Sequence, residues 1–282
     1  MRALLRLGIR LHDMKAGTLK ERARYAREQG FSCVHLALGK TVDGFKMKPE
    51  TFTSGLSREI KESFQNEGVD IAVLGCYKNL AHPDIDEVKK LQKLYIAHLR
   101  MAAILRCSVV GTETGAPNAP YTYEPLCHTE AALQAFLRGV APVVEAAENL
   151  GVLFAIEPVW NHIVWNPKIA RRVLDEIASP NLRIIFDPVN LLSIENYEER
   201  ESVIDEAMEL LAPEIEVVHL KDFKVEDGKM VSIAAGTGMM KYDKILKFLK
   251  ENKPSIEATL ENTKPENAVQ TREFIEKVYN EV

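Results

Sequence analysis

The chain has 282 residues, 46% hydrophobic and 27% charged, which suits one large α/β domain, residues 1–282, with a substantial core. Its net charge of −5 argues against a nucleic-acid partner, because phosphate binding calls for a basic face. The first eight residues acquire charge too soon to make a signal peptide or a spanning helix, so a cytoplasmic protein with no membrane association is expected.

In chain order, residues 3–11 read as a strand. Thr18 caps a helix running to Gln29, and Gly30 closes it. Residues 31–38 form strand two, 39–52 a polar loop, and a helix follows from about Ser57 to Asn66. Residues 69–76 are strand three. The next helix, 84–106, carries Leu91, Leu94, Tyr95, His98, Leu99 and Ala102 at helical spacing. Residues 107–112 make strand four, followed by a loop rich in Gly, Pro and Asn. Thr129 then begins a helix that ends at Leu150-Gly151. Strands five to eight end at Glu157, Asp187, His219 and Glu261, with helices near 167–178, 195–212, 241–252 and 265–281. Eight βα units without a composition break imply a parallel sheet, and in fewer than 300 residues a (β/α)8 TIM barrel fits better than a doubly wound sheet. No GxGxxG follows the first strand.

Cys33, Cys76 and Cys107 fall in strand-like runs and Cys127 in a loop. With no CxxC pair, the expectation is free thiols in a reducing compartment rather than cysteine-held zinc.

The chemistry concentrates at the ends of the last four strands. Phe154-Ala155-Ile156 runs into Glu157, and Pro158 stops the strand. Ile184-Ile185-Phe186 runs into Asp187, Val217-Val218 into His219, and Thr259-Leu260 into Glu261. The C-terminal rim of a parallel barrel is where ligands bind, and three carboxylates with one imidazole suit a divalent metal. A lone acid at a strand end is more often a solvated loop residue or a helix N-cap; four in succession favour the metal site.

Ile156-Glu157-Pro158, Phe186-Asp187-Pro188-Val189-Asn190, Val218-His219-Leu220-Lys221-Asp222 and Thr259-Leu260-Glu261 resemble the metal motifs of the xylose-isomerase-like TIM barrels, and the resemblance spans nearly the whole chain. It implies that Glu157, Asp187, His219 and Glu261 bind a divalent ion: Mn²⁺ first, with Mg²⁺, Co²⁺ or Zn²⁺ as alternatives. The tagatose-type 3-epimerases of that superfamily carry a His where Asn190 stands, an Arg at Val225 and a Glu at Ile163. These departures speak against a free ketose of the tagatose type.

The residues also support the chemistry on their own. Isomerising a sugar, or inverting a carbon beside a carbonyl, begins by removing the proton alpha to C=O, and a divalent ion on adjacent oxygens stabilises the enediolate. Glu157 and Glu261, three strands apart around a ring of eight, can face each other across a substrate as the catalytic pair. Lys221, two residues after His219, shares its inward side and can hold a substrate oxygen or phosphate; the plainer alternative is a rim lysine paired with Asp222. Asn190, His162, Trp160, His12 and Glu113 have addresses near the mouth that suit substrate binding. His35, alone on an apolar strand, reads as a satisfied core residue, and Gly236-Thr237-Gly238 as a plain turn.

The expected activity is a metal-dependent sugar or sugar-phosphate isomerase or epimerase with a small-molecule substrate; a homo-oligomer is compatible with it. The alternative is a lyase or dehydratase acting on a keto-sugar or keto-inositol, with His162, Lys221 or His12 as the acid. A DNA-repair nuclease would need more histidines than the seven present and a basic face.

Overall fold

A computed structural model describes residues 5–282; Ala3 and Leu4, where strand one was expected to begin, lie outside the described residues. Eight parallel strands close into a barrel: β1 (Arg6–Arg10), β2 (Cys33–Leu36), β3 (Asp70–Gly75), β4 (Val109–Glu113), β5 (Leu153–Glu157), β6 (Leu182–Phe186), β7 (Ile215–Leu220) and, last in the chain, β10 (Glu257–Leu260). They pair in chain order around the ring, and β10 closes it against β1. Between β7 and β10 lies a hairpin, β8 (Asp222–Glu226) and β9 (Lys229–Ile233), outside the barrel.

The helices lie where local chemistry starts and stops them. Thr18 closes a capping box with Glu21 at the start of α1 (Leu19–Glu28). A short α2 (Leu38–Thr41) and a 3₁₀ turn (Pro49–Thr51) occupy the stretch expected to be loop. Thr53 caps α3 (Ser54–Gln65), three residues ahead of the expected start. Asp84 caps α4 (Ile85–Leu105), Thr129 caps α5 (Glu130–Leu150), and Asn166 caps α6 (Pro167–Ile177), with Pro167 at its first position. α7 (Arg200–Leu211), α8 (Asp243–Asn252) and α9 (Ala268–Glu281) complete the ring.

Two apolar layers hold the fold. The large one lies between helices and sheet and includes Phe64, Tyr95, Phe136, Phe154 and Phe186. The small one fills the barrel itself with Cys33, Ala72, Val73, Val109, Ala155, Ile185 and Val217. Every one of the four cysteines is buried and unbridged. No helix among the described residues is long and apolar enough to cross a membrane.

Close approach fixes α5 against the loop before α4. A Cβ added to Gly139 would meet Leu80 O at 1.9 Å, and backbone has no rotamer with which to move away. Gly139→Ala is therefore expected to destabilise by about 1–3 kcal/mol, the usual cost of overpacking. Urea unfolding should show a lower midpoint with an unchanged slope; an unchanged midpoint would mean that this packing yields freely.

Candidate active site

All four strand-end residues point to the same end of the barrel and are buried: Glu157 is 2% exposed, Asp187 1%, His219 0% and Glu261 5%. His219 Nδ1 lies 3.4 Å from Glu157 Oε1 and 3.3 Å from Glu261 Oε1. The two carboxylates are thus no farther apart than the sum of those distances. Ligand atoms of Glu157, Asp187 and His219 all lie within 4.8 Å of one another, and so do those of His35, His219 and Glu261.

Local structure holds each of them. Asp187 Oδ1 accepts from the backbone N–H groups of Val189 and Asn190, an Asx-type turn just past β6. Asn190 Nδ2 donates to Glu157 Oε1 at 2.6 Å. Asn190 therefore serves a carboxylate of the site and is not simply at its edge.

Lys221 is only 6% exposed. Its Nζ lies 2.8 Å from Asp187 Oδ2 and 3.4 Å from Glu261 Oε2, and it donates to Asn190 Oδ1 at 2.7 Å. The rim pairing with Asp222 does not occur. Asp222 is fully buried and accepts from the backbone N–H groups of Phe223, Gly236, Gly238 and Met240. Those two glycine amides are thus turned inward, as a plain turn requires. Glu261 has a second cation, Arg10, whose Nη1 lies 3.2 Å from Oε2 while its Nε donates to Asp13 at 3.0 Å.

The electrostatics follow from this crowding. Burial disfavours the charged imidazole of His219, but Glu261 and Glu157 outweigh it and push its pKa up to about 9. Burial also works against an ionised Glu261, yet His219, Lys221 and Arg10 hold its carboxyl well below the usual range. Burial raises the Asp187 carboxyl despite the pull of Lys221.

His35 is the clearest departure from its sequence reading as a satisfied core residue. Its ring stacks on His219 at 5.1 Å between centroids, Nδ1 lies 3.9 Å from Glu261 Oε1, and Nε2 meets Tyr77 OH at 3.2 Å. Gly75 makes the room: a Cβ there would come within 2.5 Å of His35 Nε2 and 2.7 Å of Tyr77. Arg10 and Tyr77 also belong to the site. The signal for Arg10 was its position at the C-terminal end of a barrel strand; Tyr77 had only its place just past β3.

The remaining predicted residues lie around the mouth. Burial and the charges of Arg10 and Lys40 lower His12 to about 4. Glu113, at the end of β4, pairs in register with Glu157, and burial raises its carboxyl. Tyr121 OH donates to Glu113 Oε2 at 3.4 Å, and His162 Nδ1 lies 4.0 Å from the same oxygen. Burial lowers His162 to about 4. The Trp160 ring packs on Tyr123 at 5.3 Å, and its backbone joins His128 and Asn190, so its side chain is part of an aromatic wall beside the mouth.

The donor set fits a divalent cation. Both ring nitrogens of His219, although buried, lack a hydrogen-bond partner, and so does Nδ1 of His35. A cluster of three carboxylates is stable only with positive charge among them, and the protein supplies part of it through Lys221 and Arg10.

A family model described as a xylose isomerase-like TIM barrel matches residues 23–278. No curated protein matches the sequence. Among solved structures, the 3-keto-D-glucoside 4-epimerase YcjR from E. coli superposes with a TM-score of 0.73 at 14% identity, over 97% of this chain and 100% of that one. The IOLI protein with a bound zinc atom gives 0.73 at 16% identity, over 98% and 99% of the two chains. The probable 3-DHS dehydratase AsbF from Bacillus anthracis gives 0.71 at 17% identity, over 98% and 99%. At these identities the likeness is one of fold.

Proposed function

Because this chain belongs to the xylose isomerase-like TIM barrel family, we propose that it is a divalent-metal-dependent isomerase or epimerase of a sugar or sugar phosphate, folded as one (β/α)8 domain. The observation that carries this reading is the convergence of Glu157, Asp187, Glu261 and His219, whose ring nitrogens lack hydrogen-bond partners, at one end of the barrel. These four residues would hold the ion. When bound, it would polarise the substrate carbonyl and make the neighbouring C–H more acidic. The donor set suits Mn²⁺, Mg²⁺, Co²⁺ or Zn²⁺, and elemental analysis of the purified protein selects among them. Four buried thiols suit a reducing cytoplasm.

The chain's own groups divide the remaining work. Glu157 and Glu261 both reach His219 Nδ1, at 3.4 and 3.3 Å, so a substrate carbon seated over that point has two carboxylates within reach. One removes the alpha proton, and the same or the other returns it. Lys221, whose ammonium is held by Asp187, Glu261 and Asn190, supplies fixed positive charge beside the place where negative charge develops on a substrate oxygen. Asn190 keeps Glu157 and Lys221 in place through one amide. Trp160 and its aromatic neighbours shelter one side of the mouth from water.

Elimination from a keto-sugar is the second reading. It begins with the same proton abstraction, and the fold likeness to a dehydratase favours it.

The experiment combines metal content with hydrogen exchange. In deuterated water, the metal-loaded protein should wash the alpha proton out of at least one member of a panel of free and phosphorylated ketopentoses, ketohexoses and 3-keto glucosides. Asp187→Asn and His219→Ala should lose both the bound ion and this exchange. Full metal occupancy in both variants would refute the ligand assignment, and a wild-type protein that exchanges no panel member would refute the activity.

A further inference from the structure

Of the three groups that stood as acids for elimination, Lys221 is enclosed by Asp187, Glu261 and Asn190. His12 sits under the charges of Arg10 and Lys40. His162 remains, and it belongs to a group. Its buried Nδ1 has no hydrogen-bond partner and lies 4.0 Å from Glu113 Oε2, the oxygen to which Tyr121 OH donates at 3.4 Å. The rings of Tyr121 and His162 pack at 5.3 Å.

Tyr121 reaches this position from a strained backbone. Its φ of 56° lies in the left-handed region, which aromatic residues enter only when their surroundings impose it. The surroundings do so here. Asn79 Nδ2 donates to Ala116 O and Asn118 O, and the Asn118 side chain both donates to Thr122 O and accepts from Thr122 N. The loop after β4 is thereby stapled so that one phenol meets one carboxylate. That carboxylate is beside Glu157 in the β4–β5 register, and its side chain is 33% exposed toward the mouth.

We propose that Glu113, positioned by Tyr121 and His162, is a catalytic residue that moves a proton at a substrate oxygen, while Glu157 and Glu261 work at carbon. The proposal rests on the activity inferred above and narrows it. In an isomerisation, Glu157 or Glu261 takes the proton from the hydroxyl-bearing carbon, and the C–H electron pair forms the C=C bond. The carbonyl π pair moves onto oxygen, which receives the Glu113 proton to give an enediol. Collapse reverses the roles: the other hydroxyl returns its proton to Glu113 as its C=O forms, and the carboxylic acid at carbon delivers its proton to the former carbonyl carbon. In an elimination the Glu113 proton leaves with the departing hydroxyl as water, and the proton taken from carbon restores Glu113 through solvent. Simple inversion at carbon needs neither oxygen transfer, so the reaction class is isomerisation or elimination.

The test follows carbon exchange and product separately, in deuterated water, with the metal-loaded protein and the same keto-sugar panel. Glu113→Gln should lower product formation by roughly 10²–10⁴, with carbon exchange falling far less, so that exchange outruns product by at least about tenfold. Tyr121→Phe keeps the ring against His162 and should lower kcat about tenfold with KM unchanged. Wild-type ratios of exchange to product in Glu113→Gln, or an epimer as the sole wild-type product, would overturn the proposal while leaving metal-dependent abstraction standing. Should Glu113→Gln fail to fold, an unchanged kcat in Tyr121→Phe would overturn it alone. A wild-type protein without exchange on any panel member takes both readings down together.

Discussion

Glu157→Gln and Glu261→Gln are each expected to lower turnover by roughly 10²–10⁴ or more while much of the bound metal stays. The amide keeps the length of the side chain and one oxygen ligand but removes the basicity. The two variants should differ in what survives. If the carboxylates serve opposite faces, the variant lacking the returning group still abstracts, and the substrate exchanges its alpha proton without forming product. If one face does all the work, only one variant loses turnover. A variant that keeps its metal and turns over at wild-type rate would remove that glutamate from the chemistry.

The second large effect concerns Lys221. Its ammonium stands 2.8 Å from Asp187 and 3.4 Å from Glu261, with almost no contact with water. Lys221→Met fills the same volume but strips the cation from a nest of carboxylates. The metal-free protein should lose about 3–5 kcal/mol, the usual result of leaving buried charge uncompensated. Adding a divalent ion should return much of that loss, since the ion supplies the missing positive charge to the folded state alone. Thermal unfolding with chelator and with excess metal reads both effects. Equal melting temperatures for wild type and variant under chelator would mean that Arg10 and His219 neutralise the nest by themselves.

Much of this architecture was legible from local signals. Thr18 announced a helix start with a side chain that accepts a backbone N–H and caps α1 as expected, while Asp84 and Thr129, read as first residues of their helices, stand one position earlier as the caps. The strand-end acids were legible because a run of apolar residues stopped by a single carboxylate leaves that carboxylate few places to go. What escaped depended on neighbours distant in sequence. His35 looked like a lone polar residue in an apolar strand, and only barrel closure stacks it on His219. Tyr121 lay in a loop without periodicity, and its position comes from Asn79, some forty residues earlier. The hairpin β8–β9 did carry a local signal, Asp227-Gly228, both at positive φ as a tight primed turn requires. Asp222 was misleading because a charged neighbour suggested a pair with Lys221, whereas a buried turn with several unpaired amides needed an acceptor more.

Asp222 also bears on how this barrel can diverge. Its carboxylate, at the first position of β8, ties the Phe223 N–H after it to the turn leading to α8, while Tyr242 OH donates to Lys221 O at 2.7 Å. The hairpin therefore leaves and re-enters through a fixed collar. Outer residues such as Lys224, Val231 or Ser232 sit on a cantilever whose root is bolted by these bonds, and His219 lies on the barrel side of that root. Selection can lengthen, recolour or exchange this appendage over generations without retuning the reactive centre beneath it.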